Sequence, residues 1–181
     1  MYDKYLTERL QLRILFPSDA RMVADFYARN FDDFKNYEPM VSDSCTKISY
    51  QRQLLEMDGE NRGNGTGLRF FVFEKDDPFT VIGTVSFRDI RYNYYQCATI
   101  GYKMDQEYRN MGYATEAISN CLSLVKEELG LRRIEATVLP DNYASARVLE
   151  KLGFIKEGYL HDKIFIEGQW RDHLLFARVM D

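Results

Sequence analysis

Histidine and cysteine are scarce in this chain, and their scarcity excludes several kinds of site. Only two histidines, His161 and His173, occur in 181 residues, and the three cysteines are far apart and form no Cys-x-x-Cys pair. Zinc centres and disulfide frameworks need closely spaced ligands or paired cysteines, so neither is expected. We therefore predict a protein of a reducing compartment, the cytosol, that holds no metal.

An excess of positive charge and a long apolar run are also missing. The net charge is −4 and the pI about 5.3, so the chain lacks the basic face with which duplex-binding proteins neutralise phosphates. No run approaches the roughly 20 apolar residues that cross a bilayer, and Met1–Tyr5 has no signal-peptide core. We expect no nucleic-acid partner and no membrane association. The composition, 45% hydrophobic and 29% charged, predicts a single globular domain over residues 1–181.

Hydrophobic periodicity predicts an alternating α/β order without internal repeats. The glycine-rich stretch 59–67 lacks the Gly-Lys-Ser/Thr ending of a P-loop, so we interpret it as a flexible surface loop. Three consecutive strands at hairpin spacing indicate an antiparallel meander. The predicted elements are a strand 10–16, a helix with apolar residues at 22–27, an irregular stretch 31–43, a helix 46–57, strands 68–74, 80–87 and 97–104, a helix from 114 that ends at Gly130, a strand 133–139 and a short helix 142–152.

The turn between the third meander strand and the long helix is the first candidate site. Its sequence is Arg109-Asn110-Met111-Gly112-Tyr113-Ala114-Thr115-Glu116. The first N–H groups of a helix have no partner within the helix, and the helix dipole adds positive charge there, so this turn is suited to an anion. Gly112 lets a ligand approach the backbone closely. A glycine-containing turn that only caps a helix is the alternative.

The second candidate stretch runs from Asn142 to Phe154. Asp141 or Asn142 is placed to cap a short helix, and Gly153 with Phe154 is typical of a helix ending with an apolar contact. Capping explains both ends of the stretch, but it gives Ser145 in the first turn no task.

Taken together, the two stretches resemble the GNAT superfamily of acyl-CoA-dependent N-acetyltransferases. Residues 109–114 are similar to its Arg/Gln-x-x-Gly-x-Gly/Ala pyrophosphate loop, and residues 142–154 to its second acetyl-CoA motif. Gly101-Tyr102 and Leu149-Glu150-Lys151-Leu152-Gly153-Phe154 also resemble the Rim-type branch, which includes ribosomal-protein alanine N-acetyltransferases. The resemblance covers about residues 80–181. It implies an α/β (α+β) GNAT fold, a mixed central sheet of about six to seven strands flanked by about four helices.

The same resemblance implies that acetyl-CoA is the cosubstrate and lies in a splay between two central strands. Backbone N–H groups of the turn would hold the pyrophosphate. The backbone of Met104, at the end of the preceding strand, and the side-chain amide of Asn142 would hold the pantetheine arm. Lys151 would reach a phosphate, with a solvated lysine as the alternative. The cofactor-binding residues implied are Met104, Arg109, Asn110, Met111, Gly112, Tyr113, Ala114, Thr115, Asn142 and Lys151.

For catalysis, the resemblance implies direct attack of an amine on the thioester in a ternary complex. Leu149 occupies the position where many members have a thiolate-protonating tyrosine, and Ser145 matches the Rim-type serine that donates to the sulfur instead. Thr99 stands where relatives often have a glutamate base. The candidates for the base are Glu107, Asp89, His161 or a water relay, with Glu107 as our choice. These departures keep open a second class of function, an acyl-CoA sensor of the same fold without turnover.

The acceptor is expected between the first two helices and the last strand pair, in residues 31–43 and 159–171. A protein N-terminal α-amine and a small-molecule amine are both open, as are acyl chain length and a homodimer. An α-amine with a pKa of roughly 7.7 to 8.0 needs a weaker base than a lysine near about 10.4. Cys97 and Cys121 are interpreted as core residues, and Asp172-His173 as ordering the last strand. The candidate residues of a cation-tolerant pocket, with a solvated acidic loop over buried aromatics as the alternative, are Phe34, Tyr37, Glu38, Tyr159, Asp162 and Trp170.

Overall fold

The fold is an open mixed sheet with helices on both faces, seen in a computed structural model that describes residues 1–39 and 42–180. The strands are β1 (Lys4–Leu6), β2 (Leu10–Arg13), β3 (Leu68–Glu74), β4 (Gly83–Arg91), β5 (Cys97–Met104), β6 (Arg133–Val138), β7 (Ile155–Ile166) and β8 (Gln169–Val179). The helices are α1 (Ala20–Phe34), α2 (Ile48–Gly63), α3 (Tyr113–Leu129) and α4 (Tyr143–Lys151). The strand order is β1-β2-β3-β4-β5-β6-β8-β7.

A splay between β5 and β6 opens the middle of the sheet. These two strands are parallel and pair at only three positions, from Cys97 with Arg133 to Thr99 with Glu135. Beyond Thr99, β5 pairs with β4, and β6 pairs with β8. Every other neighbouring pair in the sheet is antiparallel. The strands on either side of α3 therefore diverge towards their carboxyl ends, which is where open α/β sheets bind ligands.

Two hydrophobic cores hold the helices to opposite faces of the sheet. Alternate residues of a strand point to opposite faces, so Phe70 and Val72 join one core and Phe71 and Phe73 the other. The first core contains the apolar stripe of α3 and Leu149 of α4, whereas the second contains α1 and Leu55 of α2. Cys121 is fully buried in the first core and Cys97 is half-buried, so the core interpretation is confirmed for Cys121. Among the described residues, no helix is long and apolar enough to cross a membrane.

Both N-terminal helices extend further than their sequence patterns predict. Helix α1 continues to Phe34, so the stretch that starts at residue 31 is helical for its first four positions; Met40 and Val41 of that stretch lie outside the described residues. Helix α2 continues to Gly63, so the prediction of a surface loop from residue 59 is wrong for its first half. The helix forms although glycine costs about 1 kcal/mol in a helix interior, and two ion pairs connect this part of it to the sheet: Arg62 with Asp3 and Asp58 with Arg69.

The sheet has eight strands instead of six to seven because β1 is too short to show a periodicity. Its three residues pair with β2, and the ring of Tyr5 packs edge-on against Phe70. The hydroxyl of Tyr5 also donates to Glu128 at 2.6 Å, which fixes β1 to the end of α3. The strand predicted at residues 80–87 begins at Gly83 and runs on to Arg91 past an irregular register.

Candidate active site

The turn before α3 has the geometry of an anion-binding nest. Asn110 and Gly112 both have left-handed backbones, with φ of 63° and 82°. The first hydrogen bond of the helix runs from Glu116 N–H to Gly112 O at 3.0 Å, so the N–H groups of residues 113–115 find no acceptor within it. Left-handed residues of this kind turn successive N–H groups towards one point. The turn follows β5 after the short 3-10 turn Gln106–Tyr108, so it comes after the carboxyl end of β5, the end at which β5 and β6 diverge.

A carboxylate within the helix holds this turn in place. Glu116 accepts hydrogen bonds from the Thr7 hydroxyl at 2.6 Å, from Arg9 N–H at 2.9 Å and from Arg9 Nε at 2.7 Å. Arg9 Nη1 also donates to Met111 O at 2.9 Å. Burial alone would raise the pKa of Glu116, but the hydrogen bonds from Thr7 and Arg9 outweigh it and hold that pKa below its usual range. The sequence reasoning missed Thr7 and Arg9, which lie more than 100 residues from their partner.

The side chain of Tyr113 is engaged in packing, so its backbone N–H is what it offers a ligand. Its ring stacks with Tyr108 and lies under the Arg9 guanidinium, 4.6 Å from the ring centre. Its hydroxyl donates to Glu74 at 2.6 Å.

The guanidinium of Arg109 likewise makes structural contacts. It ion-pairs with Asp33 of α1 and donates to Met104 O at 3.2 and 3.3 Å. It thus fixes the end of β5 to α1, and it occupies the carbonyl that the resemblance offers to a pantetheine arm. Since the Arg109 guanidinium and the Met104 carbonyl are already engaged, the predicted role of these two residues in cofactor binding is left to their backbone N–H groups, and it stays a prediction.

Helix α4 brings Asn142 and Ser145 to the open end of the splay. Asn142 is the N-cap, as predicted, because its Oδ1 accepts the N–H of Ser145 at 3.1 Å. Leu149 is completely buried and forms part of the core. Lys151 lies exposed in the last turn of the helix, at the far end from Ser145. Ser145 is therefore the hydroxyl that α4 presents at the splay.

A tyrosine that the sequence reasoning quoted but gave no role contacts this serine. The hydroxyl of Tyr102, on β5, lies 2.7 Å from Ser145 Oγ and 3.0 Å from Ser145 O. Burial raises the pKa of Tyr102 to about 12, against a smaller lowering by Ser145. The only signal in the sequence was the Gly101-Tyr102 pair within the family pattern.

The three candidate bases lie at separate places on the surface. Glu107 is exposed in the short turn after β5, and Asp89 is exposed at the register irregularity of β4. His161 is 82% exposed on β7, with Nδ1 3.6 Å from Asp172. Thr99 is the last residue of β5 that pairs with β6, directly below the splay. The identity of a base stays a prediction.

The aromatic and acidic cluster near the end of α1, which was predicted to accept a substrate cation, already contains the ammonium group of Lys103. Lys103 Nζ lies 2.5 Å from Glu38 and 2.7 Å from the hydroxyl of Tyr27, and it faces the ring of Phe34 at 5.6 Å. Burial alone would lower the pKa of Lys103, but Tyr27 and Glu38 raise it above its usual value. The lysine fixes the connection after α1 to the face of β5 opposite α4.

On the other side of the splay, a bulge in the β7–β8 hairpin is organised by Asp172. It accepts the N–H of Asp162 at 2.8 Å and the hydroxyl of Tyr159 at 2.9 Å, and these bonds lower its pKa. A cavity of about 350 Å³ opens here, next to the start of α4. A larger cavity of about 440 Å³ lies between the end of β2 and α2, away from the splay. The smaller one is lined by Pro140, Asp141, Tyr159, Asp162, Trp170, Arg171 and Asp172.

His173 is buried in β8, as expected of a residue that orders the last strand. Its Nδ1 lies 3.0 Å from Arg171 O, and burial lowers the pKa of the ring. In the part of the chain that the structure describes, no three His, Cys, Asp or Glu side chains form a cluster suited to a metal ion.

The fold and the turn define an acetyltransferase. The family model for the acetyltransferase (GNAT) domain matches residues 9–155, which is most of the chain, and the chain belongs to the GNAT acetyltransferase family. The predictions of the GNAT fold and of an N-acetyltransferase are thereby confirmed.

Individual relatives point to the Rim-type branch. The chain is 33% identical over 171 residues to the [ribosomal protein uS5]-alanine N-acetyltransferase of Escherichia coli K12, covering 94% of this chain and 88% of the relative. The crystal structure of ribosomal-protein-S5-alanine acetyltransferase from Vibrio fischeri superposes with a TM-score of 0.92 at 30% identity, over 98% and 97% of the two chains. The structure of Mycobacterium smegmatis RimJ in complex with CoA-disulfide superposes with a TM-score of 0.87 at 26% identity, over 94% of this chain and 81% of RimJ.

Proposed function

We propose that this chain transfers the acetyl group of acetyl-CoA to the α-amine of a protein N-terminus, by direct attack in a ternary complex. One observation supports this most strongly: the turn before α3, the divergence of β5 and β6 and the hydroxyl of Ser145 all lie towards the carboxyl end of β5. In this proposal they serve the pyrophosphate, the pantetheine arm and the thioester, in that order. The relatives named for ribosomal-protein alanine acetylation favour an N-terminal α-amine as acceptor. We further propose a single cytosolic domain over residues 1–181 that needs neither nucleic acid nor membrane and is a monomer or a homodimer.

The residues of the site fit acetyl-CoA. The pyrophosphate is doubly charged, and the free N–H groups of residues 113–115 can bind it. Gly112, with its left-handed backbone, leaves room beside these groups that a Cβ at this position would reduce. The unpaired edges of β5 and β6 beyond Thr99 have backbone groups for the amides of the pantetheine arm. Acetyl-CoA supplies an activated thioester. The chain supplies orientation, exclusion of water and a hydrogen-bond donor at the sulfur.

The distribution of charge favours an α-amine over a lysine amine. Two of the carboxylates beside the splay have partners: Glu38 pairs with Lys103, and Asp172 binds the hydroxyl of Tyr159 and the backbone N–H of Asp162. No strong base is therefore presented to the acceptor by these two groups. An α-amine with a pKa of roughly 7.7 to 8.0 is partly neutral near pH 7, whereas a lysine amine near about 10.4 is almost fully charged. A site with a weak base selects the former.

The test is release of CoA thiol from acetyl-CoA with matched acceptors. A peptide with a free N-terminal alanine is compared with the same peptide carrying a blocked N-terminus and one internal lysine. We expect release with the first and little with the second, and Ser145→Ala to lower the rate more than it weakens CoA binding. Polyamines, aminoglycosides and free amino acids complete the panel, because turnover with one of them would move the proposal to a small-molecule amine.

The second candidate function is an acyl-CoA sensor without turnover, favoured by Leu149 in place of a tyrosine and Thr99 in place of a glutamate. Calorimetry with acetyl-CoA separates the two functions. Tight binding without thiol release for any amine supports the sensor, and release with an amine excludes it.

A further inference from the structure

The hydroxyls of Tyr102 and Ser145 form a pair whose protons can be arranged in two ways. Tyr102 Oη is 2.7 Å from Ser145 Oγ and 3.0 Å from Ser145 O, so both oxygens are within hydrogen-bond range of one phenol proton. A phenol and a serine hydroxyl each donate once and accept as well. When Tyr102 donates to the carbonyl, Ser145 donates to Tyr102. When Tyr102 donates to Oγ, the proton of Ser145 is free.

Only the second arrangement lets Ser145 stabilise a negative charge. In the first, Oγ presents lone pairs to whatever lies in the splay, which repel a thiolate. In the second, Oγ presents its proton, and an oxygen that accepts a hydrogen bond becomes a better donor itself. The backbone fixes the position of Ser145, because its N–H is bound to Asn142 Oδ1, whereas the direction of the Oγ proton depends on which hydroxyl of the pair donates.

Tyr102 does not serve as an acid that gives up its proton. Burial raises the pKa of its hydroxyl to about 12, and an ordinary thiol has a pKa of about 8.5. Transfer of the proton from the phenol to a thiolate would be unfavourable by more than three pKa units, so a neutral phenol that donates a hydrogen bond is the stable form.

We propose that Tyr102 is a positioning residue that turns the hydroxyl of Ser145 towards the coenzyme sulfur and strengthens its hydrogen bond to the departing thiolate. This inference rests on the proposed function. As the carbon–sulfur bond breaks, its electron pair goes to sulfur, Ser145 donates to sulfur and Tyr102 donates to Ser145. Both protons stay on their oxygens. The amine loses one proton in the reaction and the sulfur takes one up, so the transfer balances without an external acid.

The position of the pair supports this role over a purely structural one. Tyr102 lies on the part of β5 that has left β6, beyond the last paired residue Thr99. Its ring packs against the first hydrophobic core, and its hydroxyl contacts Ser145 in the first turn of α4, so the side chain connects β5 to α4 beside the point where β5 and β6 part. A hydroxyl needed only to dock α4 on β5 would be satisfied by the carbonyl alone, without an approach of 2.7 Å to Oγ.

The deciding measurement is the pKa of the CoA thiol in its binary complex, followed by the ultraviolet absorbance of the thiolate. A donor to the thiolate lowers that pKa. We expect Ser145→Ala to raise it by about one unit, since a hydrogen bond to a charged group has about that value. We expect Tyr102→Phe to raise it in the same direction, and to have no further effect in the Ser145→Ala background.

Tyr5→Phe is the control, because Tyr5 also has a hydrogen-bonded hydroxyl whose pKa is raised to about 12, but it donates to Glu128 at the end of α3 and has no contact with Ser145. That variant should leave the thiol pKa unchanged. In turnover, Tyr102→Phe should lower kcat roughly tenfold with an unchanged KM for acetyl-CoA.

The outcomes separate this inference from the proposed function. CoA that binds Tyr102→Phe with an unchanged thiol pKa overturns the positioning role and leaves the proposed function standing. An additive rise in the double variant also overturns it, because Tyr102 would then act without Ser145. Failure of the unaltered protein to bind CoA would overturn the proposed function itself.

Discussion

Replacement of Gly112 by alanine separates the cost of a strained backbone from the cost of a blocked anion site. Gly112 has a φ of 82°, and a Cβ there would lie 3.3 Å from Arg9 Nη2. A left-handed conformation costs an alanine about 1–2 kcal/mol, whereas alanine gains about 0.4–1 kcal/mol from the less flexible unfolded chain. The arginine tip is flexible and can move by a few tenths of an ångström. We therefore expect Gly112→Ala to lower the free energy of unfolding by about 1 kcal/mol, or the Tm by roughly 2–4 °C.

The same helix provides the control. Gly130, at the other end of α3, has a φ of 65°, and a Cβ there would have no atom within 4 Å. Gly130→Ala should therefore lower the Tm about as much as Gly112→Ala, measured by thermal denaturation. Only Gly112→Ala should lower the affinity for CoA, by about tenfold or more in calorimetry. Its methyl group and the displaced Arg9 side chain are expected to crowd the N–H groups of residues 113–115 that would bind the pyrophosphate. Gly112→Trp should abolish CoA binding. Equal CoA affinity in Gly112→Ala and Gly130→Ala would refute the assignment of the turn as the pyrophosphate site.

Two further predictions concern the supports of the site. Glu116→Gln should lower the free energy of unfolding by about 2 kcal/mol at pH 7, since it weakens three hydrogen bonds to a carboxylate. Because the pKa of Glu116 is depressed in the folded protein, this contribution is present above the unfolded pKa of about 4.3 and is lost as the pH falls through the folded pKa. The difference in unfolding free energy between the two proteins, measured in urea, should therefore shrink below about pH 4, and a difference that is constant down to about pH 3 would contradict this prediction. Asn142→Ala should cost about 1 kcal/mol through loss of the N-cap, while Asn142→Asp, which keeps the acceptor oxygen, should restore it; equal Tm values for both variants would show that the cap contributes nothing.

Local patterns were sufficient wherever a feature depends on neighbours in the chain. The cap at Asn142, one of the two residues predicted for it, the left-handed end of α3 at Gly130 and the glycine-containing turn at Gly112 each follow from a few consecutive residues. The splay was expected only through the family resemblance, since no local pattern records where two strands part.

Contacts between distant parts of the chain could not be predicted in this way. Tyr102 meets Ser145 across 43 residues, and Thr7 meets Glu116 across 109. Lys103 has no distinguishing pattern in the sequence, yet it occupies part of the acidic and aromatic cluster predicted to receive a substrate cation. Such contacts depend on strand order and side-chain direction, which periodicity leaves undetermined.

The short parallel contact between β5 and β6 divides the backbone hydrogen bonding of the sheet into two parts, which one hydrophobic core also spans. One half contains β1 to β5 and the other β6, β8 and β7, and three backbone pairs join them. In the proposed function, acetyl-CoA bonded to both free edges would connect the two parts across the gap. The free energy of its binding would then add to the free energy of unfolding, so the protein should resist unfolding more strongly as the concentration of acetyl-CoA rises.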